Sequence, residues 1–591
     1  MNLLSIFLLL FSVSAPEGGK PVFPSDLIGT IGKIVENPHG TFKRVEPEDE
    51  ATREKGFSEI LRCEITSQPP GIWAFSYVFR VPVEIQKDEV LLVRFYARTV
   101  YAKTETGIGL MQPFFELAGP PHTKSLDRKI ELSREWKEYV IPFRSVDSYD
   151  AEGSSLGIFL GFQEQIIEIA ELQLLSYGTD FDIKKIPDTI PKYRGQEPDA
   201  PWRTEANKRI DQHRKGDLEL TVLDSNGNPV ADADVEICMK RHAFGWGSAV
   251  TVDRILQEDE DGKRYRKIIE RYFNRVVFEN DLKFWAWQNP HHREKIYQAS
   301  DWLKERNIDI RGHVLVWPSW RNSPKHLEEW TEEPEKIRQY FRDHIKDEVT
   351  GMKGRLIDWD VVNEPYDNRD ISKILGGKEV VEWFKLARQY DPDTKLYLND
   401  YGILSAEGLD VKHHDYLEDI FKYLLKNKAP IDGIGFQGHF GTQATPPDKL
   451  LEILDRFGKL GLAISITEHD IATKDEEYQA DFTRDFLTTV FSHSSVEAIL
   501  IWGFWEKAHW VPDGAYYRAD WSIKPAGQAW IDLVMKKWWT EIDAKTNEDG
   551  KLSVRGFLGD YEITVRKDGK DKTIKTAIPK DGLRLKIKLA E

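Results

Sequence analysis

Two glutamates, Glu364 and Glu468, sit within two apolar, β-branched runs, WDVVNE over 359–364 and ISITEHD over 464–470. Helix-like sequence follows each run. A strand that delivers a carboxylate at its C-terminal end, twice, is how a β/α barrel builds an active site from separate segments. Two such carboxylates facing one another can cleave a glycosidic bond. Retention of anomeric configuration needs them about 5–5.5 Å apart, and inversion roughly 6.5–9.5 Å to admit a water. One must hold a proton and the other must be ionised, so their surroundings must differ. This chemistry requires no metal and no other cofactor.

The elements that must position these groups can be read from the same stretch. Strand-like runs lie at 244–250, 274–279, 309–316, 357–362, 395–399, 432–437, 463–468 and 498–502, with helical segments between them such as 263–272, 293–306 and 335–347. Strand–helix alternation at this spacing predicts a (β/α)8 TIM barrel over 241–540 rather than an open doubly wound sheet. Polar and aromatic residues collect after the strands: Glu279, Asn280 and Lys283; His313, Trp317 and Trp320; Asn363 and Glu364; Asn399, Asp400 and Tyr401; Gln437 and His439; Glu468, His469 and Asp470; Trp502, Trp505 and Trp510. Asn399 and Asp400 are expected to organise loops. His291 with His292, and His413 with His414, invite a zinc reading but lack a third ligand at a sensible spacing. They are expected as solvated loop histidines. The run EDEDGK at 258–263 reads as a solvated helix start, with acids favourably at the N-terminus.

The segments ENDLK, RGHVLVW, WDVVNE, FQGH, ITEHD and WGFW occur in an order that resembles glycoside hydrolase family 10, the retaining endo-β-1,4-xylanases. The resemblance covers the whole barrel. It implies that Glu364 is the general acid/base and Glu468 the nucleophile, with Asn363 on the sugar 2-hydroxyl and His439 holding Glu468. It further implies that Glu279, Asn280 and Lys283 bind glycone sugars, and that His313, Gln437, Trp317, Trp502 and Trp510 form the walls and stacking floors. Some positions depart from the family pattern: Pro318 and Trp320 after the third strand, Phe284 where a tryptophan is common, and His469 where an apolar residue is usual. Pro318 removes a polar contact near the cleaved bond and Trp320 is expected to add a stacking face, which leaves sugar preference, not reaction type, open. The implied function is cleavage of internal β-1,4-xylosidic bonds. The alternatives are a β-1,4-glucanase or mixed-specificity hydrolase of the same fold, and a non-catalytic carbohydrate-binding protein.

Outside the barrel, residues 24–178 carry short strand-like runs punctuated by Gly, Pro and Asp, the pattern of a β-sandwich. VRFYART, WKEYVIPF and IEIAELQLLSYG resemble jelly-roll carbohydrate-binding modules. Trp73, Tyr77, Tyr101 and Phe115 could be sugar platforms or core residues. A linker and helix are expected over 179–216. Residues 217–240 offer two strands, marginal in isolation, so they are expected to fold with 541–591 as one small split β-sandwich around the barrel. Its two halves resemble a prealbumin-like domain.

The chain has 591 residues, too many for one core. A formal net charge of −17 argues against nucleic acid or an anionic membrane as partner. Aromatics make up 12% and Trp numbers 19, which favours sugar, whose rings stack on flat faces. Cys63 and Cys238 exclude a disulfide framework and are expected as buried thiols. The apolar run 3–11, followed by Val13 and Ala15, reads as a signal peptide over 1–15. The expectation is a secreted, soluble monomer whose partner is xylan or a related plant cell-wall β-1,4-glycan.

Overall fold

The computed structural model describes residues 16–24 and 26–589, so the expected signal peptide lies outside the described residues. Two compact units divide the chain at Lys192 and Tyr193.

The second unit is built on a closed barrel of parallel strands: β1 (Gly245–Val250), β2 (Arg275–Phe278), β3 (Asp309–Gly312), β4 (Asp358–Asn363), β5 (Lys395–Asp400), β6 (Gly433–Phe436), β7 (Ala463–Ile471) and β8 (Val496–Ile501). Neighbours pair in chain order, and β8 closes on β1. Helices cover the outside, so the strands are buried on both faces and read as near-continuous apolar runs. The interior of β3 and β4 holds an ion cluster instead of hydrocarbon. Arg311, fully buried, reaches Asp360 (2.7 Å) and Asp358 (3.2 Å). The paired charges tie two adjacent strands below the mouth.

The segments flanking the barrel pair with each other. Lys215–Leu223 lies between Lys551–Phe557 and Leu583–Lys588, and Asp234–His242 lies between Glu541–Lys545 and Gly559–Lys567. Their apolar faces (Leu218, Leu220, Val235, Ile237, Ile563) belong to the same hydrophobic cluster as the barrel. The alternation of this strand pair turns Cys238 outward and leaves it half-buried, correcting the expected buried thiol; its Sγ lies 3.5 Å from Glu236. Cys63 is buried. The stretch expected as linker and helix is packed from Tyr193 onward. Tyr193 donates to Asp485 (2.9 Å), and Arg214 at the end of helix Pro201–Arg214 donates to the carbonyls of Phe491, His493 and Val496.

The first unit is all antiparallel, with a seven-stranded and a five-stranded sheet enclosing a core that includes Phe42, Phe75, Phe95, Phe115 and Ile169. Phe115 is therefore a core residue, whereas Trp73 is 66% exposed. Strands Ile34–Asn37, Gly40–Val45 and Ile60–Ile65 were not evident in the sequence pattern.

The paired histidines lie on helices instead of loops, and all but His291 depart from the expected solvated state. His413 and His414 are buried on helix Val411–Lys426, bonding Asp400 (3.2 Å) and the Ile403 carbonyl (2.8 Å). His291 and His292 lie in the first turn of helix Pro290–Lys304, and His292 pairs with Asp281 at 2.7 Å.

Candidate active site

Glu364 follows a break in strand regularity and Glu468 lies within one. The β4–β5 register shifts between Asp360 and Val362, and the β7–β8 register between Ile466 and His469. Such bulges re-aim side chains beside active sites. Glu364 also has φ +52°, a strained left-handed conformation for a non-glycine residue, and its N–H donates to the Asn399 carbonyl (2.8 Å).

Around Glu364 the donors are side-chain amides and an indole. Trp317 Nε1 (3.1 Å) and Asn368 Nδ2 (2.9 Å) donate to Oε2, and Gln437 Nε2 (2.8 Å) and Asn363 Nδ2 (3.2 Å) to Oε1. Asn322 Nδ2 in turn donates to Asn368 Oδ1 at 3.2 Å.

Around Glu468 one partner is ionic. His439 Nε2 lies 3.3 Å from Oε2, and His439 Nδ1 lies 3.0 Å from Asp470 Oδ1. Trp510 Nε1 donates to Asp470 Oδ2 (2.6 Å). Burial alone would depress the His439 pKa, but Asp470 and Glu468 prevail and lift it to about 10. An imidazolium therefore faces Glu468 at neutral pH. Gly438, at φ +85°, occupies the turn between Gln437 and His439, one serving each glutamate.

Asn399 joins the two halves. Its Nδ2 donates to Asn363 Oδ1 (2.9 Å) and to Glu468 Oε1 (2.8 Å), while Thr467 Oγ1 donates to its Oδ1 (2.7 Å). Expected to organise loops, it instead links the neighbourhoods of both carboxylates. Asp400 does organise its surroundings, through His413 and the Tyr401 N–H.

The remaining candidate residues gather around this pair. Lys283 donates to Asn280 Oδ1 (2.8 Å) and lies over the Trp317 ring. Burial pulls the Lys283 ammonium below its usual pKa against the fields of Glu468, Glu279 and Glu364, and pushes Glu279 above its own. His313 is fixed by Asp360 (2.9 Å) and meets the Trp502 ring edge-on, and Trp510 packs on His439. Trp320 is partly buried and packs against the hydrophobic core. The exposed indole on this side is Trp285. His469 stacks on Phe486 at 4.1 Å, so it occupies an apolar slot as an uncharged ring, its pKa lowered by burial to about 4.

Sequence reasoning missed Asn368 and the anchoring role of Asp470. Asp470 was visible within the quoted ITEHD segment. Asn368 lies in the loop after Glu364 with no periodicity to mark it.

Comparison with known proteins agrees with the barrel. Residues 237–532 match the profile of Glycosyl hydrolase family 10. The anti-sigma-I factor RsgI6 of Acetivibrio thermocellus is 34% identical over 382 residues, covering 63% of this chain and 47% of that protein. Endo-1,4-beta-xylanase 1 of Arabidopsis thaliana is 29% identical over 377 residues, covering 62% and 38%. The chain thus spans half or less of the length of these relatives. Among solved structures, xylanase 10B from Thermotoga petrophila RKU-1, in complex with xylobiose, is 29% identical with a TM-score of 0.45, covering 50% of this chain and 95% of that one. On the match over its barrel, the chain belongs to glycosyl hydrolase family 10.

Proposed function

We propose that this protein is a retaining endo-β-1,4-xylanase. The observation that carries the reading is the network in which Asn363 and Asn399 connect Glu364 at the end of β4 to Glu468 on β7. Family membership supports the reaction class, and relatives named as xylanases support the substrate.

In the first step Glu364 gives its proton to the glycosidic oxygen while a Glu468 oxygen attacks the anomeric carbon. The C–O bond to the leaving chain breaks and a glycosyl–enzyme ester forms. Glu364, now ionised, takes a proton from water, which attacks the anomeric carbon, breaks its bond to the Glu468 oxygen and frees the carboxylate. Asn363 contacts the 2-hydroxyl, strengthening as oxocarbenium character develops. Glu279, Asn280 and Lys283 hold glycone sugars, and Trp317, Trp502 and Trp510 supply apolar walls. His439, 3.3 Å from its Oε2, holds Glu468 in position. The apolar leader at 3–11 supports export to a polymeric substrate, and exposed Trp73 supports an accessory sugar-binding role for the first unit.

Hydrolysis of xylan and of carboxymethylcellulose, with NMR of the first-formed anomer, tests the reading. The expected result is preference for xylan with β product formed first. First-formed α product excludes retention, preference for carboxymethylcellulose excludes the xylan assignment, and polymer binding without reducing ends released excludes the enzyme.

A further inference from the structure

Beyond Lys283, the candidate site opens into a cavity of about 260 Å³ between the loop after β3 and the turn after β2. It shares Asn280, Lys283 and Trp317 with the site, and its outer wall includes Trp285, Arg321 and Tyr340. No aspartate or glutamate lines it, although the chain carries 99 acidic against 82 basic residues. Elsewhere the site holds Glu279, Glu364, Glu468 and Asp470. This contrast marks the cavity as a place for negative charge.

Arg321 carries the argument. It is exposed at the cavity wall and has no carboxylate within ion-pair distance among the described residues. Its turn, Trp320–Asn322, is pinned: Asn322 Nδ2 donates to Ser319 Oγ (3.1 Å) and to Asn368 Oδ1, and Ser323 Oγ donates to the Trp317 carbonyl (3.3 Å). The guanidinium is thus mounted on fixed backbone. Trp285, 56% exposed, presents a large flat face in the same cavity. Tyr340 accepts from Gln288 (2.7 Å), which holds its ring in the wall. An aromatic face beside a guanidinium with no ion-pair partner among the described residues suits a pyranose ring bearing a carboxylate, since guanidinium binds carboxylate through two parallel N–H groups.

We propose that this cavity receives a uronic-acid side group carried by the xylan chain, stacked on Trp285 with its carboxylate on Arg321. The inference rests on the reading of Asn280 and Lys283 as contacts to the glycone. It makes the protein selective for acid-decorated xylan and places the decoration on the fragment bearing the new reducing end, one or two sugars in from that end.

The test compares kcat/KM on three xylo-oligosaccharides: unbranched, uronic-acid-branched, and the same branch with its carboxyl reduced to the alcohol. Wild type is expected to favour the acid branch over the reduced one by about tenfold, the scale of one charge-assisted hydrogen bond. Arg321→Ala should erase that preference and leave the unbranched substrate unaffected. Trp285→Ala should weaken both branched substrates alike. Equal rates on acid and reduced branches in wild type, or an Arg321→Ala variant that keeps the preference, overturn the proposal. So does loss of the preference in inorganic phosphate at matched ionic strength, which marks a general anion site. If no substrate is cleaved, the xylanase reading fails instead, and calorimetric binding of the same branched pair to wild type and Arg321→Ala decides the cavity.

Discussion

The surroundings of Glu364 and Glu468 differ in kind. Glu364 takes hydrogen bonds from Trp317, Asn363, Asn368 and Gln437, groups without formal charge. An amide carries a donor at one end and an acceptor at the other. By rotating, Asn368 can serve a carboxylate or accept from a carboxylic acid, with Asn322 following. Glu468 faces His439, held as imidazolium by Asp470. That partner favours one charge state only. The first neighbourhood suits a group that exchanges a proton, and the second a group held in place beside a charged ring.

The largest break in this contrast is Glu468→Ala, which should lower turnover on the order of 10⁴- to 10⁶-fold, as loss of a nucleophile does. Azide should restore turnover of activated glycosides by filling the vacated space, giving the α-glycosyl azide; wild-type activity in this variant would show the roles are misassigned. Glu364→Ala should cost about 10²- to 10⁴-fold on xylan. With a dinitrophenyl leaving group the first step should be spared, so a burst followed by slow release is expected in stopped-flow.

Smaller effects sharpen the comparison. His439→Gln should lower kcat by about 10²-fold, the scale of losing one electrostatic stabiliser. Its stability signature has a definite sign. The folded pKa of about 10 lies above the ordinary 6.5, so the imidazolium contribution is complete below about pH 6.5 and lost as pH rises toward 10. Thermal unfolding of wild type and variant should therefore converge across that window, and a gap independent of pH contradicts the assignment. Asn368→Ala should cost about tenfold in kcat and move the alkaline limb of the pH–rate profile, the limb assigned to Glu364 as the proposed acid. An unmoved limb reduces Asn368 to a packing role.

Much of the barrel was legible because parallel strands buried on both faces leave uninterrupted β-branched runs, as in RVVF and AISITEHDI. The strands of the first unit at 34–37 and 40–45 were not, since a short hairpin with Gly40 at its turn resembles loop sequence. His413 and His414 looked like solvated residues because periodicity does not reveal that Asp400 and the Ile403 carbonyl wait beneath their helix.

By itself, the sequence determined which strands would deliver Glu364 and Glu468 and that the two belong to one barrel mouth, because strand period and strand–helix alternation are local properties. Tertiary structure alone decided what each carboxylate would meet. Asn399 spans from β5 to the neighbourhood of both, His439 reaches Glu468 across β6 and β7, and Arg321 has no ion-pair partner among the described residues at a cavity wall. Hydrogen bonds and charges act over a few ångströms in space, and segments a hundred residues apart in the chain become neighbours only when the barrel closes.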